Sequence, residues 1–194
     1  LHTAYRRQRQ MCIRDSSFNT ALMHAAAEHA PQGVSVEAAT LHGIPLYDGD
    51  LESTDGIPQA VAALKDRIRH ADGVLLVTPE YNNSLPGVFK NAIDWTTRPS
   101  SDIPLLYRGR AKAVIGDSMG GFGTILSQNA WLPVLRTLGA RPFFEGRLLV
   151  SRAQGVFDAD GKLVDDKVRG QLTDFIGAFA EFARTSAKKD VLVA

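Results

Sequence analysis

Cysteine is nearly absent from this 194-residue chain: Cys12 stands alone. An internal disulfide and a cysteine-rich zinc site are therefore excluded. No apolar run approaches the ~20 residues that cross a bilayer. The first residues contain no apolar stretch of the kind found in a secretory leader, so the compartment expected is the cytoplasm. An excess of one charge is also missing. Lysine and arginine number 22 against 21 acidic residues, a net +1, and such a balance offers nothing to a nucleic acid. Residues 1–15 alone carry four arginines and one aspartate, which leaves −2 for the rest of the chain. The five histidines show no ligand spacing, so no metal is expected. The dinucleotide fingerprint G-x-G-x-x-G and the phosphate-loop lysine are absent as well. What is present, 44% hydrophobic and 22% charged residues, is the make-up of a globular domain with a core of its own.

From Ser17 onward, helix-like and strand-like segments alternate. Asn19 to Ala30 reads as an alanine-rich helix, and Val34 to Leu41 as a strand. Gly43, Pro45 and Gly49 mark a loop. Thr54 or Asp55 can cap a helix whose apolar positions Ile57, Val61, Leu64 and Ile68 follow helical spacing. Val74 to Thr78 is a short continuous apolar run, the pattern of a strand buried on both faces. Leu85, Val88, Phe89, Ala92 and Ile93 form a helical stripe. Ala111 to Gly116 is a second buried strand, Thr124 to Leu138 a helix stopped by Gly139, and Arg141 to Val150 contains another strand. Val168, Leu172, Phe175, Ile176, Phe179 and Ala183 share one face of a last helix. Such alternation predicts an α/β fold: a doubly wound parallel sheet in three layers. Ligands of such sheets sit beyond the carboxyl ends of the strands.

Two of the turns there are unusual. Gly116 to Gly120, GDSMG, satisfies the G-x-S-x-G elbow of serine hydrolases. That machinery needs a histidine after the serine, and His2, His24, His29, His42 and His70 all precede Ser118. Gly120, Gly121 and Gly123 read better as a tight turn that approaches something closely. The other turn is Pro79-Glu80-Tyr81-Asn82. Pro79 can break the strand, Asn82 and Asn83 can form a turn, and Ser84 can cap the next helix. That does not account for Glu80 and Tyr81 beside a glycine-rich turn. A flat aromatic face and an amide offering both donors and acceptors suit a planar heteroaromatic ring.

The stretch LLVTPEYNNSLPGVFKNAIDW closely resembles the signature of the NAD(P)H-dependent FMN reductase family, which includes quinone, azo-dye and chromate reductases. SFNTAL, IPLYDGDLE, DSMGGFG, LRTLGARP and VFDADGKLVDD resemble that family too, in the same order. The resemblance implies a flavodoxin-like fold with strand order 2-1-3-4-5 and noncovalent FMN at the strand ends. It implies that Pro79, Glu80, Tyr81 and Asn82 line the flavin ring, and that Ser118, Gly120 and Gly121 flank it. The family's phosphate loop, G-S-x-R-x-x-S-x-N, falls on Met11 to Asn19. Arg14, Ser17 and Asn19 match it, while Met11 and Cys12 replace the leading pair. NAD(P)H is the implied co-substrate, a small molecule the implied electron acceptor, and a homodimer or homotetramer the implied assembly. A flavodoxin-type electron carrier is the alternative, but such carriers are usually strongly acidic and this chain is near balance. Upstream the chain departs from the family. Arg6, Arg7 and Arg9 stand where an apolar first strand belongs, so residues 1–13 read as an aberrant segment replacing that strand. Residues 14–194 then form one flavodoxin-like FMN-binding domain.

Overall fold

The structure is a computed structural model and describes residues 17–185. The chain begins with helix α1, Phe18–Glu28, capped by the Ser17 hydroxyl, which accepts the Thr20 N–H. Two helices follow where one was expected. Asp48 caps α2, Gly49–Asp55, and Gly56 (φ 77°) ends it. Helix α3, Gln59–His70, starts only after Pro58. Thr54 and Asp55 therefore lie in the last turn of α2 and do not cap α3. Strand β1, Gly73–Val77, leads to α4, Gly87–Thr96. A one-turn helix α5, Ile103–Leu106, precedes β2, Ala111–Asp117. Helix α6, Ile125–Thr137, stops at Gly139, whose φ of 69° only glycine adopts freely. Two short strands follow, β3 (Arg141–Pro142) and β4 (Leu149–Val150), and the last helix is α7, Asp166–Thr185.

All described strand pairs are parallel. β1 lies against β2 in the register Gly73↔Ala111 to Val77↔Ile115. β3 and β4 both pair with β2, β3 at Ala111 and Lys112, β4 at Gly116 and Asp117. The expected strand between Arg141 and Val150 is thus two fragments. These strands make the 3-4-5 side of the expected order. The 2-1 side adjoins residues outside the described ones. Val34 to Leu41 carries no ladder with any described strand. The region of the expected first strand lies outside the described residues.

Apolar cores cover both faces of the sheet, as a parallel sheet requires. On one side Ala113 and Ile115 meet Leu22 of α1 and Leu172, Phe175 and Ile176 of α7. Phe143 anchors that layer, with its ring 5.3 Å from Phe175 and 5.3 Å from Phe182. On the other side Leu76 meets Ile68, Phe89, Ile93, Trp131 and Leu135. A full burial of such side chains stabilises by about 1.5–3 kcal/mol each. Two charged members of β2 break the pattern, Asp117 at its end and Lys112 inside it, the latter only 1% exposed. Its ammonium donates to the Leu106 carbonyl at 3.0 Å and lies 5.3 Å from the Tyr107 ring centre. No helix among the described residues is long and apolar enough to cross a membrane.

Candidate functional site

Three segments converge beyond the carboxyl ends of β1 and β2: the start of α1, the turn Pro79–Tyr81 and the turn Asp117–Met119. Together they line a narrow cleft of about 30 Å³. Ser17, Asn19, Pro79, Glu80, Tyr81 and Ser118 are members of that lining; Asn82, Gly120 and Gly121 are not. Arg14 lies outside the described residues.

The turn after β1 is held from several directions. Asn82 and Asn83 take positive φ (49° and 61°), and Tyr81 and Ser84 exchange backbone hydrogen bonds of 3.0 Å across them. Two consecutive left-handed residues make the tight hairpin turn that asparagine favours. Ser84 is thereby used by its backbone, and Pro86, not Ser84, stands at the start of α4. Behind the turn, the buried Thr78 hydroxyl accepts the Trp131 Nε1–H at 3.1 Å, and the Ser127 hydroxyl donates to the Pro79 carbonyl at 2.9 Å. Glu80 reaches the other way. Its Oε2 accepts the N–H groups of Leu126 (2.8 Å) and Ser127 (3.0 Å). A carboxylate placed there satisfies two N–H groups that have no partner within the helix, and it meets the positive end of the α6 dipole.

The second turn is tied to β4 and the segment after it. The Ser118 N–H donates to the Val150 carbonyl (3.0 Å), and the Ser118 and Gly120 carbonyls accept from Ala153 (3.1 Å) and Arg152 (3.0 Å). Gly116 is the close-approach glycine of the set: a Cβ there would lie 2.0 Å from the Thr78 carbonyl oxygen. The exposed Gly120 and Gly121 have no such crowding; a Cβ on Gly121 would meet nothing within 4 Å. Large apolar side chains flank this turn in the open, with Phe122 82% exposed and Met119 and Leu126 beside it.

Asn19 joins α1 to the second turn. Its Nδ2 donates to the Asp117 backbone carbonyl (3.0 Å) and to Asp117 Oδ1 (3.1 Å), and its Oδ1 accepts the Asp117 N–H (3.2 Å). Asp117 is 2% exposed, and its Oδ2 has no hydrogen-bond partner among the described residues. Burial pushes this carboxyl up to about 8, so it holds its proton at neutral pH. No motif in the sequence singles out Asp117 or Lys112. The available signal is one charged residue inside, and one at the end of, an otherwise apolar strand.

The donors at the start of α1 suit an anionic group. The first turn of α1 offers N–H groups that no carbonyl of the helix can accept. Among the described residues no cluster of acids, histidines or cysteines could hold a metal ion.

The chain is similar to known proteins over most of its length. The chain is 41% identical over 157 residues to an NAD(P)H-dependent FMN reductase of Pseudomonas aeruginosa, covering 81% of this chain and 83% of the relative. It is 36% identical to a 2-hydroxy-1,4-benzoquinone reductase of a Burkholderia species, over 89% of this chain and 92% of that one. The structure of the flavoenzyme FerB, an NAD(P)H:(acceptor) oxidoreductase of Paracoccus denitrificans, superposes with a TM-score of 0.79 at 34% identity. That superposition covers 90% of this chain and 94% of FerB. The family model of the NADPH-dependent FMN reductases matches residues 12–155, and the chain belongs to that family.

Proposed function

We propose that this protein is an NAD(P)H-dependent FMN or quinone reductase that binds its flavin over the strand-end edge where α1 and the two turns meet. The observation that carries this reading is the meeting of Ser17, Pro79, Tyr81 and Ser118, from three separate segments, on one cleft beyond β1 and β2. Ligands of parallel α/β sheets bind at that edge. The chemistry supplied by bound FMN is hydride acceptance at flavin N5 from the nicotinamide C4, with two electrons then delivered to a quinone, azo, flavin or metal-oxyanion acceptor.

The chain's own part is positioning. Ser17, the first N–H groups of α1 and Arg14 would hold the phosphate. Pro79, Tyr81 and Asn82 would border the ring on one side, and Ser118, Gly120 and Gly121 on the other. Glu80 and Asn19 act one step back in this reading. The Glu80 carboxylate is committed to α6 and the Asn19 amide to Asp117, so each fixes a wall of the cleft. Backbone N–H groups of the turn after Ser118, Met119 to Gly121, would stabilise negative charge that develops on the ring. No side-chain general base is required. Exposed Phe122, Met119 and Leu126 border the second turn, and we assign them to contact with a second copy in a homo-oligomer. A compact α/β domain of near-balanced charge with no membrane-crossing helix among its described residues fits a cytoplasmic enzyme.

The test is FMN titration by fluorescence quenching, together with NADH and NADPH oxidation in the presence of a benzoquinone. Saturable FMN binding that Tyr81→Ala and Asn82→Ala weaken together, with quinone-dependent turnover, is the expected result. FMN binding unchanged in the double variant would place the site elsewhere. Binding without pyridine-nucleotide oxidation would make the protein an electron carrier.

A further inference from the structure

The amino-terminal edge of the sheet, opposite the strand-end turns, is built from three basic segments. Residues 67–72, 105–112 and 136–141 hold six arginines against one acid, Asp72, with Lys112 buried among them. The six guanidinium groups and Asp72 sum to +5 in a chain whose total is +1, which leaves −4 for the rest. Positive charge is thus segregated to this edge. The seven residues of β2 set it roughly 20 Å from the candidate flavin site.

The three segments interlock. The Gly109 N–H donates to the Gly139 carbonyl at 2.8 Å, and the Arg141 N–H to the Arg110 carbonyl at 2.9 Å. The Arg110 guanidinium donates to the carbonyls of Leu105 (3.2 Å) and Arg69 (2.9 Å), which holds α5 against the end of α3. Arg67 pairs with Glu37 at 2.6 Å, and Arg141 lies 4.1 Å from the centre of the Phe182 ring. Three cations remain. Arg69, Arg108 and Arg136 are exposed, and their side chains have no hydrogen bond or ion pair among the described residues. Leu105, 51% exposed, stands among them beside exposed Pro104.

We propose that this edge is a docking surface for an anionic phospholipid membrane, on which the protein lies peripherally. The sign of the charge selects an anionic partner, since exposed guanidinium groups pair with phosphate oxygens through parallel hydrogen bonds. Leu105 and Pro104 select lipid over nucleic acid. Apolar side chains inside a cationic patch gain by entering the acyl boundary, and a phosphate backbone offers them no such phase. Bases also find no platform here. Tyr107, the one phenylalanine, tyrosine or tryptophan of the three segments, is 1% exposed. Attraction to a charged bilayer fades within a Debye length, so the cations must lie at one surface, as the interlocked segments hold them. Three arginines and one leucine make a weak, reversible anchor. Docked in this way, the protein keeps its strand-end edge in water.

Cosedimentation of the full chain with vesicles tests the proposal. One set is phosphatidylcholine alone, and the other contains about one third phosphatidylglycerol to make the surface negative. The expected result is saturable binding to the anionic set only, abolished by about 0.5 M salt, which shortens screening to a few Å. Arg69→Gln, Arg108→Gln and Arg136→Gln together should weaken binding at least about tenfold. Leu105→Ser should weaken it with the salt dependence unchanged. A control carrying Arg147→Gln, Lys162→Gln and Lys167→Gln has the same net charge as the first variant and should bind like the parent. Melting temperatures establish that all variants are folded. Absence of binding to the anionic vesicles would overturn the proposal outright. Binding that survives the first variant would assign it to cations away from this edge, those of residues 1–15 included, and would overturn it as well. Equal loss in the control would reduce the effect to net charge and reject a defined surface. Tighter binding to a DNA duplex than to vesicles, lost in the first variant, would make the edge a nucleic-acid surface instead.

Discussion

Asn19 and Asp117, 98 positions apart, share three hydrogen bonds that join the first turn of α1 to the end of β2. One amide thereby occupies the acceptor and donor groups of an aspartate backbone and one of its carboxyl oxygens. The second carboxyl oxygen stays buried without a partner among the described residues.

That orphan oxygen sets a pH dependence. Burial raises the Asp117 carboxyl from 3.8 to about 8, so between those values folding takes up a proton. Stability is fully present below pH 4 and falls as pH rises toward 8. The variant Asp117→Asn keeps an acceptor for Asn19 and cannot ionise. Its melting temperature should exceed that of the parent by a margin that widens from pH 4 to pH 8 and then stays constant. The difference should reach a few kcal/mol, since one proton taken up on folding changes stability by about 1.4 kcal/mol for each pH step of one. A constant difference across this range would show that Asp117 does not titrate there.

Lys112 should act with the opposite slope. Burial, aided by the charge of Arg110, lowers its ammonium from 10.5 to about 7. Below pH 7 both folded and unfolded chains carry the charge, and the folded chain bears the full desolvation penalty. From pH 7 to 10.5 folding releases a proton, so the penalty shrinks as pH rises. Lys112→Met should therefore raise the melting temperature most at pH 6, with a gain that declines steadily above pH 7. Thermal scans of both proteins from pH 6 to pH 10 check the sign.

Glu80 should matter for the shape of the cleft more than for charge within it. Replacement by alanine removes the acceptor of two N–H groups at the start of α6, a loss of about 0.5–2 kcal/mol. Glu80→Gln keeps an oxygen but loses the dipole interaction, a smaller loss of about 0.3–1 kcal/mol. Urea denaturation of the three proteins should rank them parent, Gln, Ala. FMN retention through gel filtration should follow the same rank, because the turn carrying Tyr81 loosens with its anchor.

Gly116→Ala tests how closely the two strands approach. The added methyl would fall 2.0 Å from the Thr78 carbonyl and 2.4 Å from the Thr124 hydroxyl, and the Thr78 backbone cannot retreat without drawing the end of β1 away from β2. The expected destabilisation is about 3 kcal/mol or more. Gly121→Ala meets nothing within 4 Å and serves as the control, with a melting temperature close to that of the parent.

The order of helices and strands was readable from periodicity, since apolar stripes at helical spacing and short all-apolar runs answer to local chemistry. Phe89 and Ile93 on α4, Leu172 and Phe175 on α7, and the stop at Gly139 all fell where the pattern put them. The two strand-end turns were legible for the same reason: Pro79 and the Gly120–Gly123 cluster are local breaks in apolar runs. Other features depended on partners distant in sequence. Gly116 reads as an ordinary strand glycine, and only its approach to the Thr78 carbonyl, 38 positions away, shows why a side chain is excluded there. Glu80 belongs to α6 because the start of that helix passes within hydrogen-bond reach, 46 positions away. Asp117 and Lys112 read as ordinary charged residues until tertiary packing removed water from around them. Their protonation then follows from desolvation, a property of the surroundings that composition and spacing do not encode.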